Sequence, residues 1–395
     1  MLKNLVNALL ASMLIVVLFV GGYWLGQSPY APVQLYYPAG NTPSEIETTF
    51  SPFWEAWQLV HTRYYELPVD DVTLTDGAID GMMSSLGDDY TRYLPPADEE
   101  AARDTMAGEI QGIGVLVEFV DGNITVVSPF EGSPAEAAGI KAGDILRQAD
   151  GVDLTGMDLS EAAALVRGPA GTTVNLVIER DGEQFTLDVV RDVIRIPSVR
   201  GEMMDGNIAY VRLSRFGDNS AEELAAVLEE LMPQNPAGLI LDLRGNPGGG
   251  LETAVDIASQ FQDGGLILTE AFGDGTTRTF EATSGGLATS VPMVVLIDEG
   301  SASASEVLAG SLRDNGRGVL VGQTSFGKGT VQTWQPLSNG GGVRITIARW
   351  LTPAGTWVHE QGLTPDIEVT LPEPVEGQPF VDTQLQAAID YLLGK

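Results

Sequence analysis

Two apolar segments, each followed by a glycine- or serine-rich turn and then a helical pattern, constrain the fold of this chain most strongly. Residues 237–243 lead into the turn 244–250, which contains four glycines, and residues 291–297 lead into residues 300–306, which contain three serines. Apolar runs of this length that alternate with helices are typical of an α/β sheet. Because ligands and catalytic groups gather at the carboxyl ends of such strands, the two turns are candidate parts of one functional site.

Composition excludes several classes of chemistry. The 395 residues include no cysteine and two histidines, His61 and His359, neither of which belongs to a zinc-ligand pattern. We therefore expect no thiol catalysis, no disulfide, no metal site and no cofactor. The formal net charge of −33 predicts repulsion of a polyanion, so nucleic acid is not an expected partner.

The N-terminal segment has the length and composition of a membrane anchor. Residues 5–25 carry no charged side chain, and a helix of that length spans ~30 Å of hydrocarbon. A cleaved signal peptide is the alternative, although the apolar region of such a peptide is usually ~7–15 residues. Lys3 is the only charged side chain before the run, which predicts an extracytoplasmic location for the rest of the chain. We expect a single-pass anchor or signal in residues 1–26 of a cell-membrane protein and a stalk in residues 27–44.

The remaining residues predict a multidomain α+β protein. Residues 45–107 space their apolar side chains at helical intervals, which indicates an N-terminal helical region and a surface for homo-oligomer formation. Residues 108–192 contain short strands and two Asp-Gly turns, which indicate a β-rich domain. Residues 193–371 alternate strands and helices and predict an α/β core, followed by a C-terminal tail and helix in residues 372–395.

Lys328 is the clearest candidate for a reactive side chain. It is one of four lysines in the chain and stands between two glycines. Lysine can act as a base near neutral pH when burial lowers its pKa from about 10.4 toward ~7–8. Ser303 lies where a helix should begin, and the free N–H groups there favour developing negative charge on a nucleophile. Ser303 and Glu306 also fit a capping box, so a structural role for the serine is the alternative.

A nucleotide hydrolase is a competing interpretation. Residues 322–328 satisfy the first seven positions of the phosphate-loop pattern, and Asp242 would supply a magnesium ligand. However, Gly329 stands where the pattern needs Ser or Thr, and residues 330–334 read as a strand where a helix is needed. We therefore favour the pair of serine and lysine.

Three motifs occur in order in residues 242–249, 300–306 and 325–330, and together they resemble the carboxyl-terminal processing protease family. The family comprises PDZ-containing serine–lysine peptidases, also called tail-specific proteases. Residues 86–93 and 351–355 extend the resemblance, whereas Gly245 departs from it because the family more often has a bulkier polar residue there.

The resemblance assigns a role to each candidate catalytic residue. It implies that Ser303 is the nucleophile, that Lys328 is the general base and that Gln332 orients the lysine. The oxyanion hole would combine the backbone N–H groups of Ala304 and Gly249. A serine endopeptidase with an acyl-enzyme mechanism is the activity that the family implies, and a non-catalytic PDZ scaffold is the alternative.

Residues 108–192 resemble a PDZ domain in their order of motifs. The resemblance implies a groove that accepts a peptide as an added strand and captures its C-terminal carboxylate. Arg167 matches an arginine that in related proteases lies toward the catalytic domain, which implies coupling between the two domains; an ordinary surface charge is the alternative. Polypeptides recognised through their C-terminus are therefore the expected substrates, and the residues that would bind the carboxylate are Gly112, Ile113, Gly114 and Val115.

Overall fold

The computed structural model describes residues 44–372 and 380–394, without the side chains of residues 44–47. The predicted anchor, residues 1–26, and the stalk up to residue 43 lie outside these residues. Within the described part of the chain, no helix combines the length and the apolar character needed to cross a bilayer. The chain divides into two compact units, Met1–Thr75 and Asp76–Lys395.

The described residues of the first unit are mainly helical. Helix α1 is Ser44–Arg63, and helix α2, Asp71–Ser84, begins in this unit. Phe50 and Trp54 on α1 are exposed, the latter by 60 %. The helix therefore presents aromatic surface in the described part of the unit.

The second unit contains the rest of the secondary structure that is described. In chain order its elements are β1 Arg92–Leu94, α3 Pro96–Ala107, β2 Glu109–Gly112, β3 Val115–Val120, β4 Asn123–Pro129, α4 Pro134–Ala137, β5 Ile145–Ala149, β6 Val152–Asp153, α5 Leu159–Val166, β7 Thr173–Arg180, β8 Glu183–Val190, β9 Asp192–Arg195, β10 Val199–Met204, β11 Ile208–Leu213, α6 Ser220–Leu231, the 3-10 turn Met232–Gln234, β12 Gly238–Asp242, α7 Leu251–Phe261, β13 Leu266–Phe272, β14 Thr277–Glu281, β15 Met293–Ile297, α8 Ala304–Asp314, β16 Val319–Gly322, β17 Thr330–Pro336, β18 Gly342–Leu351, β19 Ile367–Glu368 and α9 Thr383–Leu392.

The β-rich domain is a sheet in the order β3-β4-β5-β7-β8 around its own core. Alternate side chains such as Ile124, Leu176 and Ile178 point inward and are buried. Strand β3 lies at the edge of this sheet, so it can accept a further strand. Strands β2 and β9 pair with each other where the chain enters and leaves the domain.

The α/β core is built on a second sheet, in the order β10-β11-β12-β15-β16-β19. Its strands run parallel except β10. Helices α6, α7 and α8 cover one face, and α9 packs its Ala388 on the other, near Ile240 and Val294. Burial on both faces explains why β12 and β15 are almost continuously apolar in sequence.

A third sheet, in the order β1-β18-β13-β14 with β17 also paired to β18, lies beside this core. Strand β1 falls within residues 45–107, for which the sequence predicts a helical region. Thr91 explains the difference in part, because its Oγ1 accepts a hydrogen bond from the N–H of Thr346 at 3.0 Å. Tyr93 and Leu94 are also buried. Residues 92–94 therefore belong structurally to the core.

The C-terminal helix is tied to the end of β12 by ion pairs. Arg244 donates to both Asp242 and Asp382, at 2.7 and 2.9 Å, and to Gln384 Oε1 at 3.1 Å. Burial by itself lowers the pKa of Arg244. The hydrogen bonds and charges of Asp242 and Asp382 raise it by more, so the guanidinium stays charged. This network holds the start of the glycine-rich turn 244–250.

Candidate active site

The three serines of residues 300–306 have different surroundings. Ser301 Oγ donates to the carbonyl of Leu243 and Ser305 Oγ to that of Asn246, each at 2.9 Å. Both serines are fully buried, so their hydroxyls hold the serine-rich turn against the glycine-rich turn. Ser303 precedes α8 with φ 56°, a conformation that is rare and strained for a residue with a Cβ atom.

A single cavity of about 550 Å³ contains all five residues that the sequence analysis assigns to catalysis. They come from three separate segments of the second unit, residues 249, 303–304 and 328–332. The residues are Ser303, Lys328, Gln332, Ala304 and Gly249. The fold thus brings the predicted nucleophile, base and oxyanion donors to one place.

The glycine-rich turn lies directly against the N-terminus of α8. A Cβ atom on Gly248 would lie 2.9 Å from the backbone nitrogen of Ala304, so a side chain at this position would crowd that nitrogen. Phe216 fixes the turn, because its N–H donates to Gly248 O at 2.9 Å and its carbonyl accepts from Gly250 N at 2.8 Å. Neither Ala304 N–H nor Gly249 N–H donates a hydrogen bond to a described residue. Two free donors therefore border the cavity beside Ser303.

Glu306 connects the predicted nucleophile to the predicted base. This buried carboxylate accepts four hydrogen bonds, from Ser303 N at 2.7 Å, Lys328 N at 2.9 Å, Gly327 N at 2.7 Å and Ser325 Oγ at 2.6 Å. The capping-box pattern accounts for the first of these contacts. The other three depend on the tertiary fold, and no pattern in the sequence predicts them.

Lys328 lies part-buried with its Nζ 5.0 Å from the centre of the Tyr90 ring. Burial lowers the pKa of Lys328, and repulsion by Arg344 and Arg92 lowers it further. Contact with an aromatic face favours the charged form and so acts in the opposite direction. Tyr90 and Arg92 both come from residues 86–93, a motif whose role the sequence by itself does not indicate.

Gln332 lines the same cavity but contacts threonines. Its Nε2 donates to Thr330 Oγ1 at 2.9 Å and to Thr346 Oγ1 at 3.2 Å. The described residues show no hydrogen bond between Gln332 and Lys328. The carbonyl oxygen of Gln332 is thus the atom that can accept a hydrogen bond from the lysine.

The positions of His359 and of the residues after Lys328 test two alternatives, a histidine base and a phosphate loop. His359 stacks on Trp357 at 5.0 Å, its buried Nδ1 has no hydrogen-bond partner among the described residues, and it does not line the cavity. Residues Thr330–Pro336 form strand β17, so no helix follows the lysine as a phosphate loop requires. Among the described residues, no three histidine, aspartate or glutamate side chains are grouped to hold a metal ion.

The groove of the β-rich domain lies between β3 and α5. It has a volume of about 500 Å³ and is lined by the four predicted peptide-binding residues and by Arg167. In the described part of the chain, the N–H groups of Ile113 and Gly114 donate no hydrogen bond. Arg167 Cγ lies 3.7 Å from the position that a Gly112 Cβ atom would occupy. The arginine is therefore beside the loop that would hold a carboxylate.

The sequence and the fold match known proteins over most of the chain. Residues 207–369 match the model of peptidase family S41, residues 125–180 that of a PDZ domain, and residues 19–100 that of the N-terminal domain of the activating protease CtpB. Carboxy-terminal processing protease CtpA of Bacillus subtilis is 38% identical over 338 residues, which are 85% of this chain and 72% of CtpA. The chain belongs to the carboxy-terminal processing protease family.

Further members of this family agree in length and fold. The carboxy-terminal-processing protease of Bartonella bacilliformis is 37% identical over 91% of this chain and 83% of its own length. The structure of the photosystem II D1 C-terminal processing protease is 33% identical, with a TM-score of 0.50, over 85% of this chain and 96% of that one. This carboxy-terminal processing protease is accordingly a serine-type peptidase with a PDZ domain and an α/β protease core.

Proposed function

We propose that this carboxy-terminal processing protease is a serine endopeptidase in which Ser303 is the nucleophile and Lys328 the general base. The observation that carries the proposal is the one cavity that contains both side chains and the free N–H groups of Ala304 and Gly249. An oxyanion that forms beside Ser303 would accept hydrogen bonds from these two donors, which are fixed before the reaction begins.

The reaction follows from these positions. Ser303 Oγ attacks the peptide carbonyl, and Lys328 Nζ takes the hydroxyl proton and passes it to the leaving amine. Lys328 then takes a proton from the water that attacks the acyl-enzyme, and it returns this proton to Ser303 Oγ as the second product leaves. Gln332 Oε1 orients the ammonium by accepting its hydrogen bond. Removal of the Ser303 hydroxyl or the Lys328 amine tests this mechanism most directly.

The PDZ domain selects substrates by their C-terminus. The support is the open edge of β3, the two free N–H groups of Ile113 and Gly114, and the charge of Arg167 beside them. Arg167 also couples groove occupancy to the protease core. The names of the relatives, which refer to carboxy-terminal processing, agree with polypeptide substrates of this kind.

The location and assembly of the protease form a separate part of the proposal. Residues 5–25 anchor the chain in the cell membrane, and the protease core acts outside the cytoplasm. The uncharged composition of this segment and the position of Lys3 support the anchor. Homo-oligomers form through the N-terminal helical region, and the exposed Phe50 and Trp54 of α1 support that role.

Activity should rise with pH through a pKa below the ordinary lysine value. The reason is that neutral Lys328 is the working base and that burial, with Arg344 and Arg92, lowers its pKa. The measurement is kcat/KM for an unstructured polypeptide across pH, with chelators and thiol reagents as controls that should not inhibit. A profile that rises only near pH 10 contradicts the prediction, as does inhibition by a chelator that zinc reverses.

Substrates with a free C-terminus should be cleaved faster than the same peptides with an amidated C-terminus. Amidation removes the charge that Arg167 and the free N–H groups bind, and a charge-assisted hydrogen bond is worth ~1.5–3 kcal/mol, or roughly tenfold or more in kcat/KM. Arg167→Ala should lose most of this preference. Lys141→Ala removes an exposed charge from the same domain outside the groove and should keep it. Equal cleavage of both peptides by the unmodified protease would refute substrate selection by the groove.

A further inference from the structure

The cavity of Ser303 and Lys328 has a charge opposite to that of the chain as a whole. The chain carries 54 acidic and 21 basic side chains. The described residues that line the cavity nevertheless include no aspartate or glutamate, and its basic residues are Arg92, Arg215, Lys328 and Arg344. The average composition of the chain does not account for such a lining.

Two of these arginines face each other across neighbouring strands. Arg92 on β1 is directly opposite Arg344 on β18, and Trp334 on β17 is opposite Arg344 on the other side. The three side chains therefore form one row on the face of the sheet that lines the cavity. Like charges directly opposite each other destabilise an antiparallel pair. A local arrangement that opposes stability is expected mainly where function requires it.

Arg344 also lacks the polar partners that Arg244 and Arg317 have. Within the described residues its guanidinium forms no ion pair, its Nε is buried without a hydrogen-bond partner, and it stacks on the Trp334 ring at 4.2 Å. By contrast, Arg244 pairs with Asp242, and Arg317 donates three hydrogen bonds at 2.6–2.7 Å to the carbonyls of Phe261, Ala288 and Val291. The polar groups of the core thus leave Arg344 unsatisfied.

The nearby carboxylate of Glu99 is committed to other groups. Its Oε2 accepts from Trp334 Nε1 at 2.5 Å, its Oε1 pairs with Arg103 at 3.3 Å, and its side chain is 3% exposed. Gly342 makes room for this carboxylate, because a Cβ atom there would lie 2.3 Å from Oε2. Glu99 therefore fixes the ring on which Arg344 stacks, and the guanidinium is held at the cavity wall.

We propose that Arg344, with Arg92 beside it, binds a substrate carboxylate close to the scissile bond and makes the protease prefer an acidic residue there. A guanidinium donates two parallel hydrogen bonds to a carboxylate, and a bound anion would relieve the repulsion between the two arginines. Both arginines line the same cavity as Ser303 and Lys328, and their charge adds to the effect of burial in lowering the pKa of Lys328. The inference rests on the proposed function of this cavity as the catalytic site.

The test compares peptides that differ only in one side chain. Each peptide has the same length and a free C-terminus, and a single glutamate or glutamine occupies successive positions on both sides of the scissile bond, which mass spectrometry locates. At one position or two adjacent ones, glutamate should raise kcat/KM by about tenfold over glutamine. Amidated and free versions of peptides cleaved near their end show whether the C-terminal carboxylate can serve as the anion instead.

Variants of the full chain assign the preference to a residue. Arg344→Gln should bring the ratio of kcat/KM for the two peptides close to one, and Arg344→Lys should keep part of it. Any effect on Lys328 changes both peptides alike and cancels in the ratio. Arg278→Gln is the matched control, because Arg278 also stacks on a ring at 4.2 Å in the same sheet but does not line the cavity. It should keep the full preference.

Binding to the Ser303→Ala variant keeps the test independent of turnover. Fluorescence anisotropy should show tighter binding of the glutamate peptide, and Arg344→Gln in that background should remove the difference. A ratio near one at every position, or a preference that survives Arg344→Gln, would overturn the inference while leaving the proposed protease activity intact. Conversely, cleavage that persists in Ser303→Ala would refute the proposed function without affecting the binding comparison.

Discussion

Replacing Ser303 or Lys328 with alanine is expected to reduce kcat for an unstructured polypeptide by on the order of 10⁴-fold or more. Ser303→Ala removes the atom that would form the acyl-enzyme, and Lys328→Ala removes the only lysine amine that lines the cavity in the described residues. Because the two side chains act in the same step, the double variant should be hardly slower than either single one. The measurement is the initial rate of cleavage together with thermal unfolding of each variant.

Two controls separate catalysis from folding in this experiment. His359→Ala should keep substantial activity, because His359 does not line the cavity. Ser301→Ala should lower stability more than activity, since the Ser301 hydroxyl is bonded to the Leu243 carbonyl. An inactive His359→Ala beside an active Lys328→Ala would assign the base to the histidine instead.

Replacing Glu306 with alanine is expected to destabilise the protease by about 3–5 kcal/mol and to abolish most of its activity. Four donors lose their acceptor, and each buried unsatisfied donor costs ~1–3 kcal/mol. Water that enters the space left by the side chain can accept some of these hydrogen bonds and so reduces the total cost. Two of the donors are the backbone N–H groups of Ser303 and Lys328, so the loss also frees the nucleophile and the base to separate. Denaturant unfolding gives the first effect, and kcat at a temperature where the variant stays folded gives the second.

The companion variant Glu306→Gln keeps the side-chain size but replaces one acceptor oxygen with an NH₂ donor. It should still lose activity, because the new donor faces N–H or O–H groups that need an acceptor. Asp144→Ala removes another fully buried carboxylate, which binds Arg180 in the PDZ domain. This change should cost stability while sparing cleavage of amidated peptides. Full activity of a folded Glu306→Gln would show that the four bonds do not position the dyad.

The sequence alone determined the family, the PDZ domain and the α/β core. The apolar strands β12 and β15 are recognisable because both faces of a parallel sheet are buried, so nearly every residue must be apolar. The turns that follow them are recognisable because close backbone approach needs glycine, as at Gly248. Each of these requirements restricts the residue type at particular positions, so it can be recognised in the sequence. Anchoring and location depend on residues outside the described part of the chain and stay predictions.

The tertiary structure decided which groups surround the candidate dyad. Ser303 and Lys328 could be proposed from sequence, but the bonds of Glu306 to Ser325, Gly327 and Lys328, the ring of Tyr90 and the unpaired Arg344 could not. Each is a contact between residues far apart in the chain, or a contact that is missing. Residue type and spacing do not encode such contacts. A buried glutamate or arginine gains or lacks a partner only when distant segments of the chain pack together. The sequence thus indicated the chemistry, and the fold set the charge and the hydrogen bonds around it.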